Sequence, residues 1–203
     1  MNRINKEFSH KFGGHWIKVK FYIEKPDIKE IKRIKDTRFC QATKEAIMHP
    51  VILDRDSISC KGAQYAFGWR LDNEGLLSDN CLDKNQAQTG MMESVLSGIH
   101  HLKRPFKYIG LNTDGEPDLI MSYMQPEEIM GIIKFYNYQY GKTLVVPLSS
   151  MMSICSGIAV RTYSEGKISL SFGCSDSRKY ANIGRNNLAI GIPKRLLKKF
   201  ISE

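Results

Sequence analysis

Four cysteines set the strongest condition on how this chain folds. Cys40, Cys60, Cys155 and Cys174 each stand alone, with no second cysteine two or three residues away. Cys60 and Cys155 each carry a glycine two residues on, Gly62 and Gly157, and Cys174 follows Gly173 at the end of an apolar run, with Arg178 four residues later. If the four thiols are to form one site, the chain must return to one place four times. We read them as converging. Cys40 and Cys60 lie 20 residues apart, and Cys155 and Cys174 lie 19 apart. That leaves an imperfect internal duplication and coincidence both open.

Convergence would favour a metal. Neighbouring thiolates repel, and burial further disfavours their charge. A bound cation reverses that balance and deprotonates them. Four thiolates suit an iron–sulfur cluster or a tetrahedral zinc. The missing Cys-x2-Cys knuckle argues against zinc, whereas separated single cysteines are compatible with a cluster wedged between elements. In this reading Gly62 and Gly173 let backbone amides approach sulfur, and Arg38 and Arg178 offset the anionic charge. The plainer alternative is four buried cysteines used as small apolar side chains. Cys81 has no companion motif and is left out of the site.

Segment by segment, the pattern predicts an α+β fold: a mixed sheet with flanking helices in one domain over 14–203, with two pseudo-repeated halves as one option, behind a basic, loosely held lead-in at 1–13. Trp16 to Ile23 alternates apolar and basic residues, which predicts a strand with one wet face. Residues 37–48 carry apolar side chains at helical spacing behind Asp36 or Thr37 as cap. Cys40 then falls in the first turn, where the helix dipole would lower a thiol's pKa. Short strands are expected at 50–53, 108–111, 119–123, 144–148, 168–172 and 188–192. Gly62 to Trp69 reads as tight helical turns, and Met91 to Leu102 reads as a helix ended by Pro105. The clearest helix begins at Pro126 with Glu127 and Glu128, buries Ile129, Ile132, Ile133 and Tyr136, and stops at Gly141. Asp72 to Gly90 is polar and loop-like.

In chain order, Arg38-Phe39-Cys40-Gln41-Ala42, Cys60-x-Gly62-Ala63 with Phe67-Gly68, Pro117-Asp118, Tyr138-x-Tyr140-Gly141, Cys155, Phe172-Gly173-Cys174-x3-Arg178 and Leu188-Ala189-Ile190-Gly191-Ile192-Pro193 form a recognisable series. It resembles the prokaryotic ArCR family, a domain of unknown function, from about residue 15 to 200. The resemblance implies one small domain and places the four cysteines in a shared pattern. It brings no reaction with it.

Other features carry less. The formal charge of +9 and pI near 9.3 invite nucleic acid as a partner. Yet the basic residues are dispersed and mixed with Glu30 and Asp36, and no nucleic-acid-binding motif occurs, so a basic nucleic-acid-binding module ranks third. His100 and His101, being adjacent, point about 100° apart on a helix and do not share one metal. Asp114, Glu116 and Asp118 lack the glycine and closing glutamate of a calcium loop and read as a turn. Met91-Met92 and Met151-Met152 read as core filling or as an adaptable pocket wall. No phosphate-binding loop and no nucleophile elbow is present. No apolar run is long enough to span a bilayer, and Met1 to Glu7 lacks a signal peptide's apolar core, so no membrane role and a cytoplasmic setting are expected. The first expectation is a metal- or iron–sulfur-binding protein in electron transfer, cofactor handling or sensing, with a protein redox partner and homo-oligomerisation open. The second is a thiol-redox protein with a reactive cysteine near Arg178, which would cycle between dithiol and disulfide.

Overall fold

The computed structural model describes residues 3–28, 32–70, 76, 94–103 and 106–201. Cys81 and nearly all of the polar 72–90 stretch lie outside them. In chain order the elements are α1 (Arg3–Phe12), β1 (Ile17–Tyr22), β2 (Lys32–Arg33), α2 (Phe39–Glu45), β3 (Val51–Leu53), α3 (Lys61–Ala66) and a helical turn at 94–97, α4. There follow β4 (Tyr108–Leu111), β5 (Leu119–Met124), α5 (Pro126–Tyr140), a π-helix (Cys155–Val160) running into α6 (Arg161–Glu165), β6 (Ser169–Ser171), α7 (Ser175–Tyr180), β7 (Leu188–Pro193) and α8 (Lys194–Ile201).

The strands form one mixed sheet in the order β2-β3-β4-β1-β5-β7-β6, antiparallel throughout except for the β2–β3 pair. β5 shows why helices cover both faces. Its six residues are all buried, and they alternate between two cores: Leu119, Met121 and Tyr123 face one, Ile120 and Met124 the other. β7 pairs along its whole length, with Ile192 opposite Ile120. The first core holds Phe39, Cys40, Ala63, Met152 and Cys155, so it carries the cysteines. The second is aromatic and packs α1, α5 and α8 on the sheet, with the Phe135 and Phe200 rings 4.7 Å apart.

That second layer overturns two expectations. The lead-in at 1–13 is not loose: α1 buries Phe8 against Trp16 and Phe200, and Lys11 Nζ donates to the Phe200 carbonyl at 3.0 Å. Nor is the even-numbered face of β1 wet throughout: Lys18 is only 2% exposed, whereas Lys20 and Tyr22 are half-buried. A third correction concerns 144–148, which joins no sheet. Pro147 has no N–H to give a ladder, and Val145 and Leu148 stay exposed.

Elsewhere local chemistry sets the boundaries. α5 starts at Pro126, with Glu128 accepting from the Gln125 N–H at 2.8 Å, and ends at Gly141 in the left-handed region at φ 60°. Its buried face is Ile129 and Ile132. α2 begins at Phe39, with Arg38 as its cap in place of Asp36 or Thr37. The 114–118 segment is a turn: Glu116 pairs with Lys194 at 2.7 Å, and Asp118 accepts the Phe21 N–H at 2.8 Å. No helix among the described residues is long and apolar enough to cross a membrane.

Candidate functional site

Each of the four thiols is delivered by the start of a helix. Cys40 sits in the first turn of α2, Cys60 is the cap of α3, Cys155 opens the π-helix, and Cys174 caps α7. All four are free, and together they line one cavity of about 30 Å³ on the α2–α7 side of the sheet. The two chain halves therefore match position for position, one cysteine at a helix cap and one just inside a helix. Helix starts suit this role because their first N–H groups have no partner within the helix. Ser177 N–H, in the first turn of α7, points at the Cys174 sulfur at 3.4 Å.

The electrostatics record the convergence. Burial pushes the Cys40 thiol up to about 12, and the neighbouring Cys174 and Cys60 push it in the same direction. Cys155 is driven well above the ordinary thiol value by its burial, and then by Cys60, Cys174 and Cys40. Cys60 also rises through burial, opposed by the Ala63 N–H and by the Arg38 guanidinium. The expected dipole effect on Cys40 is thus overturned. At 7% exposure, desolvation outweighs the contribution of one helix start.

Arg38 belongs to the site. Its guanidinium lies 3.8 Å from the centre of the Tyr180 ring, and its Nε reaches Asp176 at 3.3 Å, fastening α2 to α7 across the cavity mouth. Arg178 does not play the part expected of it. It donates to the carbonyls of Phe172 (2.7 Å), Gly184 (2.5 Å), Arg185 (3.2 Å) and Asn187 (2.8 Å), so it clamps the strand–helix–strand connection and faces no sulfur.

The glycines also act differently from expectation. Gly173 adopts φ 83° and gives its N–H to Ser171 Oγ at 3.0 Å rather than to a thiol. Gly62 makes room: a Cβ there would stand 2.9 Å from Met152 Cγ, 3.5 Å from its sulfur and 3.9 Å from Cys60 Sγ. Met152, itself at φ 47°, thereby brings a thioether into the wall beside the thiols. Its carbonyl accepts from Cys155 Sγ at 3.5 Å and from the Ser156 N–H at 2.8 Å.

Sequence reasoning left Met152 as core filling or pocket wall, although it lies three residues before Cys155. It missed Thr43 and Tyr123. Thr43 lies one turn after Cys40, accepts or donates at 2.8 Å with the buried Tyr123 hydroxyl, and donates to the Cys40 carbonyl at 2.7 Å. The i, i+3 spacing from Cys40 was the available signal. His100 instead approaches Glu165 at 2.8 Å and His101 packs on the Tyr65 ring, both apart from the cysteines.

The donor set suits a soft, thiophilic centre. Among the described residues, however, no three His, Cys, Asp or Glu side chains stand so that one ion could be held between them. A tetrahedral zinc needs that arrangement. A four-iron, four-sulfide cluster takes each of its four cysteines on a separate iron and does not. At about 30 Å³ the cavity has room for water-sized guests only, so a cluster requires part of the wall to withdraw. Met152, unbranched, is the part able to do so.

An α+β domain with a four-cysteine cavity on one face of its sheet is the class this structure defines. The chain belongs to the uncharacterised ArCR family, a domain of unknown function, which it matches over residues 15–203. It is similar to an uncharacterised protein, MJ0308, of Methanocaldococcus jannaschii, at 26% identity over 153 residues. That match covers 72% of this chain and 66% of the relative, slightly under two thirds of the relative's length. No solved structure matches the chain.

Proposed function

We propose that Cys40, Cys60, Cys155 and Cys174 hold an iron–sulfur cluster, and that the protein serves electron transfer, cofactor handling or sensing in the cytoplasm. One observation carries this reading: four single thiols, brought by four separate helix starts, line one cavity in which Cys174 raises the pKa of the other three. In a metal-free protein the gathered thiols serve only as small apolar side chains, a role that does not call for sulfur. A cluster turns the same arrangement into four ligands and supplies one-electron chemistry when bound. The chain's own residues would tune it. Arg38 places a cation at the mouth, burial lowers the local dielectric, and the Thr43–Tyr123 pair braces the Cys40 carbonyl. Phe172 and Tyr180, both exposed beside Cys174, offer a redox partner protein an apolar approach. Zinc is the alternative metal, and it would need the thiols to draw closer together than they stand.

Anaerobic reconstitution with iron and sulfide tests the reading. Brown protein with iron and sulfide in cluster stoichiometry, lost in a Cys155→Ser variant, is the expected result. Colourless protein with four titratable thiols after reconstitution would overturn it. A second reading, thiol redox chemistry, is favoured by Cys174, which is half-buried and receives the Ser177 N–H. It requires a cysteine that alkylates fast near neutral pH, and uniformly slow alkylation removes it.

A further inference from the structure

A cleft of about 370 Å³ opens at the other end of α2 from Cys40, between α1, β1 and the 112–115 turn. That volume is in the range of small-molecule sites. Its floor is buried, formed by Asn5, Trp16, Lys18 and Ala46, and its rim is exposed, formed by His15, Met48, His49 and Asp114.

Asn112 makes the floor rigid. Its Oδ1 accepts the Lys18 N–H at 2.8 Å and Asn5 Nδ2 at 3.0 Å, and its Nδ2 donates to the Ala46 carbonyl at 2.6 Å. One side chain thus ties α1, β1 and the end of α2 together. Two polar groups remain underused. Asn5, 4% exposed, has a carbonyl oxygen with no hydrogen-bond partner among the described residues. Lys18 Nζ has a single hydrogen bond there, a 3.3 Å contact with the Gly115 carbonyl. A buried acceptor without a donor and a buried ammonium with one weak acceptor are both costly. Burial accordingly lowers the Lys18 pKa, while the Asp114 carboxylate at the rim opposes that shift.

We propose that this cleft binds a small zwitterion of the α-amino-acid class, with its carboxylate on the Lys18 ammonium and its own ammonium between Asn5 Oδ1 and the Asp114 carboxylate. The ligand gives each underused group its missing partner. A simple carboxylate serves Lys18 alone, and a simple amine serves only Asn5 and Asp114. The site is independent of the cysteine cavity.

Isothermal titration of the full chain with each of the common α-amino acids tests the proposal. At least one should bind, and its deaminated carboxylic acid should bind at least about tenfold more weakly, a difference of about 1.4 kcal/mol. Asp114 is exposed, so Asp114→Asn should leave the melting temperature unchanged and weaken binding about tenfold. Lys18→Met should abolish binding, and Cys155→Ser should bind as the parent does. No binding of any amino acid up to about 10 mM would overturn the proposal. So would equal binding of the deaminated acid, or full affinity in Asp114→Asn.

Discussion

Raising the pH of the metal-free protein should unfold it through its cysteines. In the folded chain the Cys40 thiol is pushed from 9.0 up to about 12, and in the unfolded chain it returns to 9.0. Because the folded pKa is the higher one, the stabilisation is complete below pH 9 and is lost as pH rises from there towards 12. Three units at 1.36 kcal/mol each put the full loss from Cys40 at about 4 kcal/mol, a large part of an ordinary domain's stability. At about pH 10.5 roughly half of it, about 2 kcal/mol, should already be gone. Cys60 and Cys155 shift in the same direction, so the slope should be steeper than the roughly 1.4 kcal/mol per pH unit that Cys40 alone contributes. Urea unfolding at several pH values between about 8 and 10.5 measures that slope directly. Cys40→Ala sets the control, since it leaves the lysines and tyrosines that titrate in the same range untouched. Its slope should be shallower by about 1.4 kcal/mol per pH unit. Equal slopes in the parent and Cys40→Ala would show that Cys40 ionises as easily folded as unfolded, and the reasoning from burial would fail. With a cluster bound, the sign reverses: thiolates are then the native form, and stability should fall towards acid as protons displace the metal.

Gly62→Ala should cost about 1–2 kcal/mol by driving a methyl into Met152, and Met152→Ala in the same chain should recover part of it, which a double-mutant cycle resolves. Arg178→Lys should lower the melting temperature, losing about 2 kcal/mol as a point charge fails to reach carbonyls on Phe172, Gly184 and Asn187 together, yet leave the spectrum of a reconstituted centre unchanged. Arg38→Lys should do the opposite, shifting the reduction potential of that centre with a smaller effect on stability, because it loses the stacking on Tyr180 and the aim at Asp176. Thr43→Val should destabilise by about 1–3 kcal/mol, since it strips the buried Tyr123 hydroxyl of its partner; calorimetry would read it.

How far the sequence discloses this fold depends on whether a signal is local. α5 is legible because Pro126, Glu128, Ile129, Ile132 and Gly141 state its start, face and end within one segment. The 144–148 stretch misleads for the converse reason. Leu144-Val145-Val146 has strand-forming side chains, but a strand exists only as half of a pair. Lys18 misleads because alternation tells which residues share a face and not what covers it. Over Lys18 that covering comes from α1 and the 112–115 turn, both distant from it in sequence. The signal for α1 was present, since Ile4, Phe8 and Phe12 recur every four residues. Arg178 shows the deepest limit. Its charge is visible in the sequence, while the four carbonyls that consume it are set by backbone geometry.

The cysteines were legible as a set, and their chemistry follows from how they are gathered. Each comes singly from a helix start, so no short loop holds two of them at the spacing that suits one ion, and among the described residues none of the triples does so. Their distances are instead fixed by the packing of α2, α3, the π-helix and α7. On the proposed reading such a cavity has two low-energy conditions. Protonated, the thiols are small apolar side chains that complete the core beside Met152. Coordinated, they are four thiolates neutralised from within. Ionisation of Cys40 is disfavoured by burial and then by Cys174 and Cys60, and ionisation of Cys155 by burial and then by the other three sulfurs. Burial therefore disfavours a lone thiolate at Cys40, Cys60 and Cys155, so a thiol-redox role would fall to the half-buried Cys174, whereas the proposed cluster would draw on all four.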